Sequence, residues 1–170
     1  MNMTRVLKLL LSLILLFSLP CFSQTSFKID RLKSGIFNNR TKISLTIHGK
    51  TIGFASFTKI PFFSYYALHS LYVYPQYRNK GFGSKIMTYT ENYLQSMKAQ
   101  RIYIQPGPFE INRDISNNNS YNTKTKQLVK LYRKLGYKLC HRITQFFARV
   151  VYRCMGIDEN ADYLMVKNME

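Results

Sequence analysis

Apolar and polar residues alternate through "ISLTIHGKTIGFASF" (43–57) on both sides of His48-Gly49-Lys50. That pattern predicts a β-hairpin closed by a glycine-containing turn. The β-branched and aromatic run "YALHSLYVY" (66–74) predicts a third strand, ended by Pro75. From Ser84 the period changes: Ile86, Thr90, Tyr93, Leu94 and Met97 recur at helical spacing to about Ala99. "RIYIQ" (101–105) is a short strand stopped by the turn-forming "PGP". From Phe109 to Asn122 no periodicity holds, and a polar loop is expected, of the length that in compact domains is commonly functional or mobile. Leu128, Leu131, Tyr132 and Leu135 then mark a second helix, with Gly136 where a C-terminal cap belongs. "YKLC" starts another strand and "ADYLMVKNM" closes the chain as one. The amphipathic "RITQFFARVVYRCMG" between them fits either a helix or a strand. Hairpin, strand, helix, strand, helix and two further strands predict one α/β domain around a single mixed sheet.

The first residues follow a different pattern. Arg5 and Lys8 precede a nearly uninterrupted apolar run from Leu9 to Leu19, then Pro20 and small residues at Cys21 and Ser23. Residues 1–23 are therefore expected to be an export signal peptide cleaved before Gln24, or, if retained, an N-terminal membrane anchor. With a functional leader the domain is exported or membrane-anchored; without one it is cytoplasmic. The chain has 170 residues and a formal charge of +17, of which about +15 remains when Arg5 and Lys8 are set aside. Hydrophobic residues make up 46%, which argues for a packed globule and against disorder. Such a basic field attracts phosphates, nucleic acid, anionic membranes or acidic ligands without choosing among them. Cys140 and Cys154 either pair in an oxidising compartment or stay as buried thiols. His48, His69 and His141 have no ligand spacing, so no metal is expected.

The stretch "YVYPQYRNKGFGSK" (72–85) carries the chemistry. Gly81 and Gly83 allow a tight turn, and the helix that starts near Ser84 adds unsatisfied N–H groups and the positive end of its dipole. Arg78 and Lys80 add charge, and the whole is an anion cradle suited to a pyrophosphate. The spacing is neither the dinucleotide G-x-G-x-x-G nor the P-loop pattern. In its wider context, "LHSLYVYPQYRNKGFGSKIM" (68–87) resembles the signature of the GNAT superfamily of acyl-CoA-dependent N-acyltransferases: a strand, then [RQ]-x-x-G-x-[GA] opening a helix. "LVKLYRKLGYKL" (128–139) is similar to that family's second signature, an aromatic-rich helix end followed by glycine and an aromatic. The resemblance covers residues 27–170. It implies the GNAT fold, a twisted mixed central sheet flanked by helices and splayed where the cofactor enters. It also implies acetyl-CoA as acyl donor. The backbone amides of Arg78 and of Lys80, Gly81, Phe82, Gly83 and Ser84 would bind the pyrophosphate, and Leu71, Tyr72 and Val73 the pantetheine arm.

Acetyl transfer to an amine requires that the amine lose a proton, that the oxyanion find a donor and that the leaving thiolate be protonated. His69 has the side chain suited to reversible proton transfer. "LHSLYV" resembles the corresponding strand of arylalkylamine N-acetyltransferases, where a histidine at that place works in a proton relay. Their second histidine, two residues earlier, is here Ala67. Glu110 is the rival base, and a water path without a dedicated base is the third possibility. By the same resemblance Tyr132 is the acid that protonates the thiolate, and a backbone N–H near Leu71 to Val73 is the oxyanion donor. The family often carries asparagine where this chain has Thr125, and Tyr65 and Tyr66 are candidates for lining the acceptor pocket. The expected partner is a small-molecule or peptide amine. The alternative is a non-catalytic basic domain that binds an anionic ligand, nucleic acid or a membrane surface, although the basic residues form no dense tract and no nucleic-acid motif.

Overall fold

The computed structural model describes residues 25–33, 39–108, 119–140 and 163–169. The leader, Glu110, Cys154 and the ambiguous stretch from 142 to 156 lie outside them. Among the described residues the strands are β1 (Thr25–Lys33), β2 (Asn39–Ile47), β3 (Lys50–Lys59), β4 (Tyr65–Val73), β5 (Arg101–Ile104), β6 (Lys138–Leu139) and β7 (Met165–Asn168). The helices are α1 (Phe82–Ser96) and α2 (Asn119–Lys134). The strands form one mixed sheet in the order β1-β2-β3-β4-β5-β7-β6. The β4–β5 pair is parallel and the other pairings are antiparallel.

The β2–β3 hairpin turns through His48 and Gly49, both at positive φ (49° and 74°), the left-handed pair that matches the twist of the flanking strands. One face of the sheet carries Ile43 and Leu45 of β2, Ala55 and Phe57 of β3, Tyr66 and Leu68 of β4, and Ile102 and Ile104 of β5. These pack with Ile86, Met87 and Leu94 of α1 and with Val129 and Tyr132 of α2. The opposite face holds a smaller cluster of Ile60, Ala67, Tyr103, Cys140 and Leu164. Lys167 of β7 reaches Glu91 of α1 at 2.7 Å in a largely buried ion pair that ties the helix to the far side of the sheet.

Gly136 caps α2 as expected. It stands at φ 89°, its N–H donates to Arg133 O (3.0 Å), and the Tyr137 N–H donates to Tyr132 O (3.0 Å). That pair of bonds is a Schellman motif. Three expectations need correction. β1 precedes the hairpin and carries no clean alternation; it is held by the stacking of Phe27 on Tyr89 of α1 at 3.8 Å between centroids. α2 starts at Asn119, inside the stretch expected to be loop. α1 ends at Ser96, so Met97 is not on its buried face but 44% exposed, whereas Met87 is fully buried. Cys140 is a free, buried thiol whose pKa burial raises to about 11.

Candidate active site

The site begins with an imbalance along β4. From Tyr65 to Leu68 the strand has β3 on one edge and β5 on the other, with Tyr65 opposite Arg101 and Leu68 opposite Ile104. β5 then stops, while β4 runs on to Val73 beside β3 alone. Among the described residues, 69 to 73 therefore have no strand on that second edge. Leu71, Tyr72 and Val73 lie along it. The parting coincides with a β-bulge: Ser56 faces Ser70 and Phe57 faces Leu68, which leaves His69 as the extra residue.

Beyond Val73 the chain makes a 3-10 turn at Pro75–Tyr77 and folds back. Arg78 fastens it: its N–H donates to Pro75 O (3.2 Å), its Nε donates to Val73 O (2.9 Å), and its guanidinium lies over the Tyr72 ring. Lys80 Nζ donates to Gln76 O at 3.3 Å within the same turn. Gly81, at φ 77°, is the N-cap of α1, a backbone conformation that L side chains rarely adopt. The first rung of the helix is the Lys85 N–H to Gly81 O bond (3.1 Å), so the N–H groups of Gly81, Phe82, Gly83 and Ser84 precede the ladder. No acidic side chain occupies the first turn to offset its positive end.

Two glycines set the distance between this cradle and β4. A Cβ on Gly83 would meet only Val73 Cγ2, at 3.8 Å, so the protein leaves that space open beside the end of the strand. A Cβ on Gly53 would stand 2.4 Å from Tyr72 O and 3.0 Å from Ile86 Cδ1. Gly53 thus permits the close approach of β3, β4 and α1, a contribution not foreseen from the sequence. Its signal was a glycine inside an otherwise apolar strand. Gly81 through Ser84 and Leu71 through Val73 therefore come together. The Arg78 amide is committed to Pro75, and the Arg78 side chain braces the strand end.

The two residues singled out for proton transfer lie on opposite faces of β4. His69 Nε2 is 2.6 Å from Thr58 Oγ1, and Thr58 pairs with Ala67 on the face of the smaller cluster. Burial, with a smaller contribution from Arg40, lowers the His69 pKa to about 4, so the ring is neutral near pH 7. Tyr132 is 5% exposed in the main core, edge-on to Tyr137, and burial raises its phenol pKa far above the ordinary value. Thr125 and Val129 share its buried helix face, and Thr125 Oγ1 is buried without a hydrogen-bond partner among the described residues. Tyr65 is half-buried under the Arg101 guanidinium and Tyr66 is core, both at the end of β4 away from the cradle.

Solved structures that align at TM-scores of 0.52 and 0.53 share this architecture. The PaiA N-acetyltransferase of Thermoplasma acidophilum, solved with coenzyme A, aligns with 76% of this chain at 16% identity and a TM-score of 0.48; this chain spans 60% of its length. An acetyltransferase of the GNAT family from Staphylococcus aureus aligns with 77% at 13% identity and a TM-score of 0.52, over 68% of its own chain. An aminoglycoside 6'-N-acetyltransferase complexed with coenzyme A aligns with 77% at 16% identity and a TM-score of 0.53, over 73% of its own chain. No curated protein matches the chain in sequence. The profile of the Acetyltransferase (GNAT) family matches residues 17–137, a span that holds the parted strand, the glycine cradle and Tyr132 alike. With motif, fold and profile in agreement, the chain belongs to the GNAT family of acetyltransferases.

Proposed function

We propose that this protein transfers an acetyl group from acetyl-CoA to a primary amine by direct attack, without a covalent enzyme intermediate. The observation that carries the reading is the meeting of two unfinished backbone surfaces, the open edge of β4 at 69–73 and the first-turn amides of α1, across the space beside Gly83. A ligand with an anionic pyrophosphate and an amide-bearing arm fits that pair. Gly81 to Ser84 hold the pyrophosphate, and the stretch from Leu71 to Val73 hydrogen-bonds the pantetheine arm as an added strand would, through Leu71 and Val73, since Tyr72 O is turned towards Gly53 of β3. The complex of the aminoglycoside 6'-N-acetyltransferase with coenzyme A supports the assignment. Bound there, acetyl-CoA supplies an activated acetyl thioester.

Proton handling divides between the two faces of the sheet. Tyr132 holds its proton at Oη throughout the neutral range and donates it on the helix side, to the departing thiolate. His69 offers a neutral ring nitrogen on the other side. With a pKa of about 4 it is about a million-fold too weak to deprotonate a free alkylammonium, whose pKa is about 10.4. The amine therefore enters neutral, and His69 accepts its proton only as bonding to the carbonyl carbon makes that nitrogen acidic. A backbone N–H near Leu71 to Val73 serves the oxyanion. Residues 1–23 are proposed to export or anchor this domain.

The direct test follows thiol release from acetyl-CoA in the presence of an alkylamine, an arylalkylamine and a lysine-containing peptide. Release that depends on the added amine and matches acetylated product mole for mole supports the proposal. A folded protein that releases no thiol with any of them contradicts it.

A further inference from the structure

We propose that the end of the sheet opposite the cradle is a docking surface for an anionic lipid bilayer. The β3–β4 connection there, closed by the Ile60 N–H to Tyr65 O bond (2.8 Å), holds Phe62 at φ 65° and 98% exposed. A bulky residue is uncommon in that backbone region, and an exposed aromatic ring gains meaning where it heads a larger apolar group. Around the tip stand Phe63 (39% exposed), Leu32 (49%) and Met97 (44%). The register brings them to one end: Leu32 pairs with Arg40, Arg40 with Thr58 and Lys59 with Tyr66, while the Gln100 N–H donates to Ser64 O at 2.7 Å.

Among the described residues, charge at this end has one sign. Arg40, Lys59 and Lys98 are exposed, and Arg101 lies over the Tyr65 ring, which stacks on Phe63. The described acidic residues are Asp30 and Glu91, and each is engaged elsewhere, by Lys28 and by Lys167. Apolar tips ringed by Lys and Arg are the composition of a surface that sits at an anionic headgroup layer. Nucleic acid fits less well: Leu32 and Met97 give no stacking surface, and one face of Phe63 is already taken by Tyr65. Thr25 opens β1 at the opposite end, opposite Ile47 beside the β2–β3 turn.

The chain has no tryptophan, so Phe62→Trp in the full-length protein is a local reporter. Its emission is expected to shift to the blue with vesicles of phosphatidylcholine and phosphatidylserine, and not with phosphatidylcholine alone. Lys50→Trp, at the other end, stays unshifted. Adding Lys59→Glu and Lys98→Glu to Phe62→Trp is expected to weaken the vesicle response by at least about 30-fold, given about fivefold for each basic group lost near the surface. An unshifted Phe62→Trp in a folded protein overturns the proposal. So does a shift at Lys50→Trp alone, which would place the leader's end in the bilayer. A Phe62→Trp shift that grows with protein concentration in vesicle-free buffer overturns it as well, in favour of a second copy of the chain.

Discussion

The two halves of β4 belong to one strand and share one neighbour, β3, yet they do different things. In the first half, Tyr65 to Leu68, both edges are paired, and Tyr66, Ala67 and Leu68 are 3%, 0% and 4% exposed. In the second half, His69 to Val73, one edge has no neighbouring strand among the described residues and all five side chains are partly exposed. The bulge at His69 marks the boundary. Pairing on both edges stabilises the sheet and leaves nothing for a ligand. The second half lacks a second neighbouring strand among the described residues, and an amide-bearing ligand can take that place.

Several substitutions separate the halves by different margins. The largest expected effect is on chemistry: Tyr132→Phe lowers kcat by about 10²–10⁴-fold, the usual contribution of general acid–base catalysis, with the affinity for acetyl-CoA retained. Steady-state kinetics beside a direct binding measurement checks both parts. Next comes the structural half, where Leu68→Ala costs about 2–5 kcal/mol of stability as a buried large-to-small change. Ser70→Ala, two residues on in the open half, stays within about 0.5 kcal/mol. Denaturant unfolding of the two variants measures the contrast directly. A further effect, seen only as the pH falls, lies at the boundary. The neutral, buried His69 binds its proton near pH 4 in the folded protein and near 6.5 when unfolded. The unfolded state thus holds more protons between those values, so the His69 contribution to stability is complete above about pH 6.5 and is lost as the pH falls towards 4. His69→Gln should flatten that part of the stability profile, and wild-type turnover should show no inflection from this residue near pH 6.5.

Much of this was legible because it is local. The His48-Gly49 turn, the Gly136 cap and the glycine cradle each depend on a few adjacent residues whose backbone preferences are strong. β1 escaped notice because Phe27 and Ile29 are followed by Arg31, not by a third apolar residue in step, and because an edge strand shows both faces to solvent. The first two turns of α2 are polar at almost every position, and Thr125, which is buried, does not read as apolar. The bulge at His69 and the early stop of β5 are properties of pairing between distant segments, which no window of sequence contains. The candidate residues were therefore in view, but the separation of His69 from Tyr132 by the sheet, and the depressed pKa that limits His69 as a base, were not.

The most direct measurement is a calorimetric titration of the purified protein with acetyl-CoA, run beside Gly83→Glu. The new side chain has room in the fold, since its Cβ would meet only Val73 Cγ2 at 3.8 Å, but it brings a carboxylate to the amides that would hold the pyrophosphate. The account predicts saturable, one-to-one binding in the wild type and a loss of at least about 100-fold, about 2.7 kcal/mol, in a variant that melts at an unchanged temperature. Equal affinity in the two proteins, or no binding by a folded wild type, would contradict it.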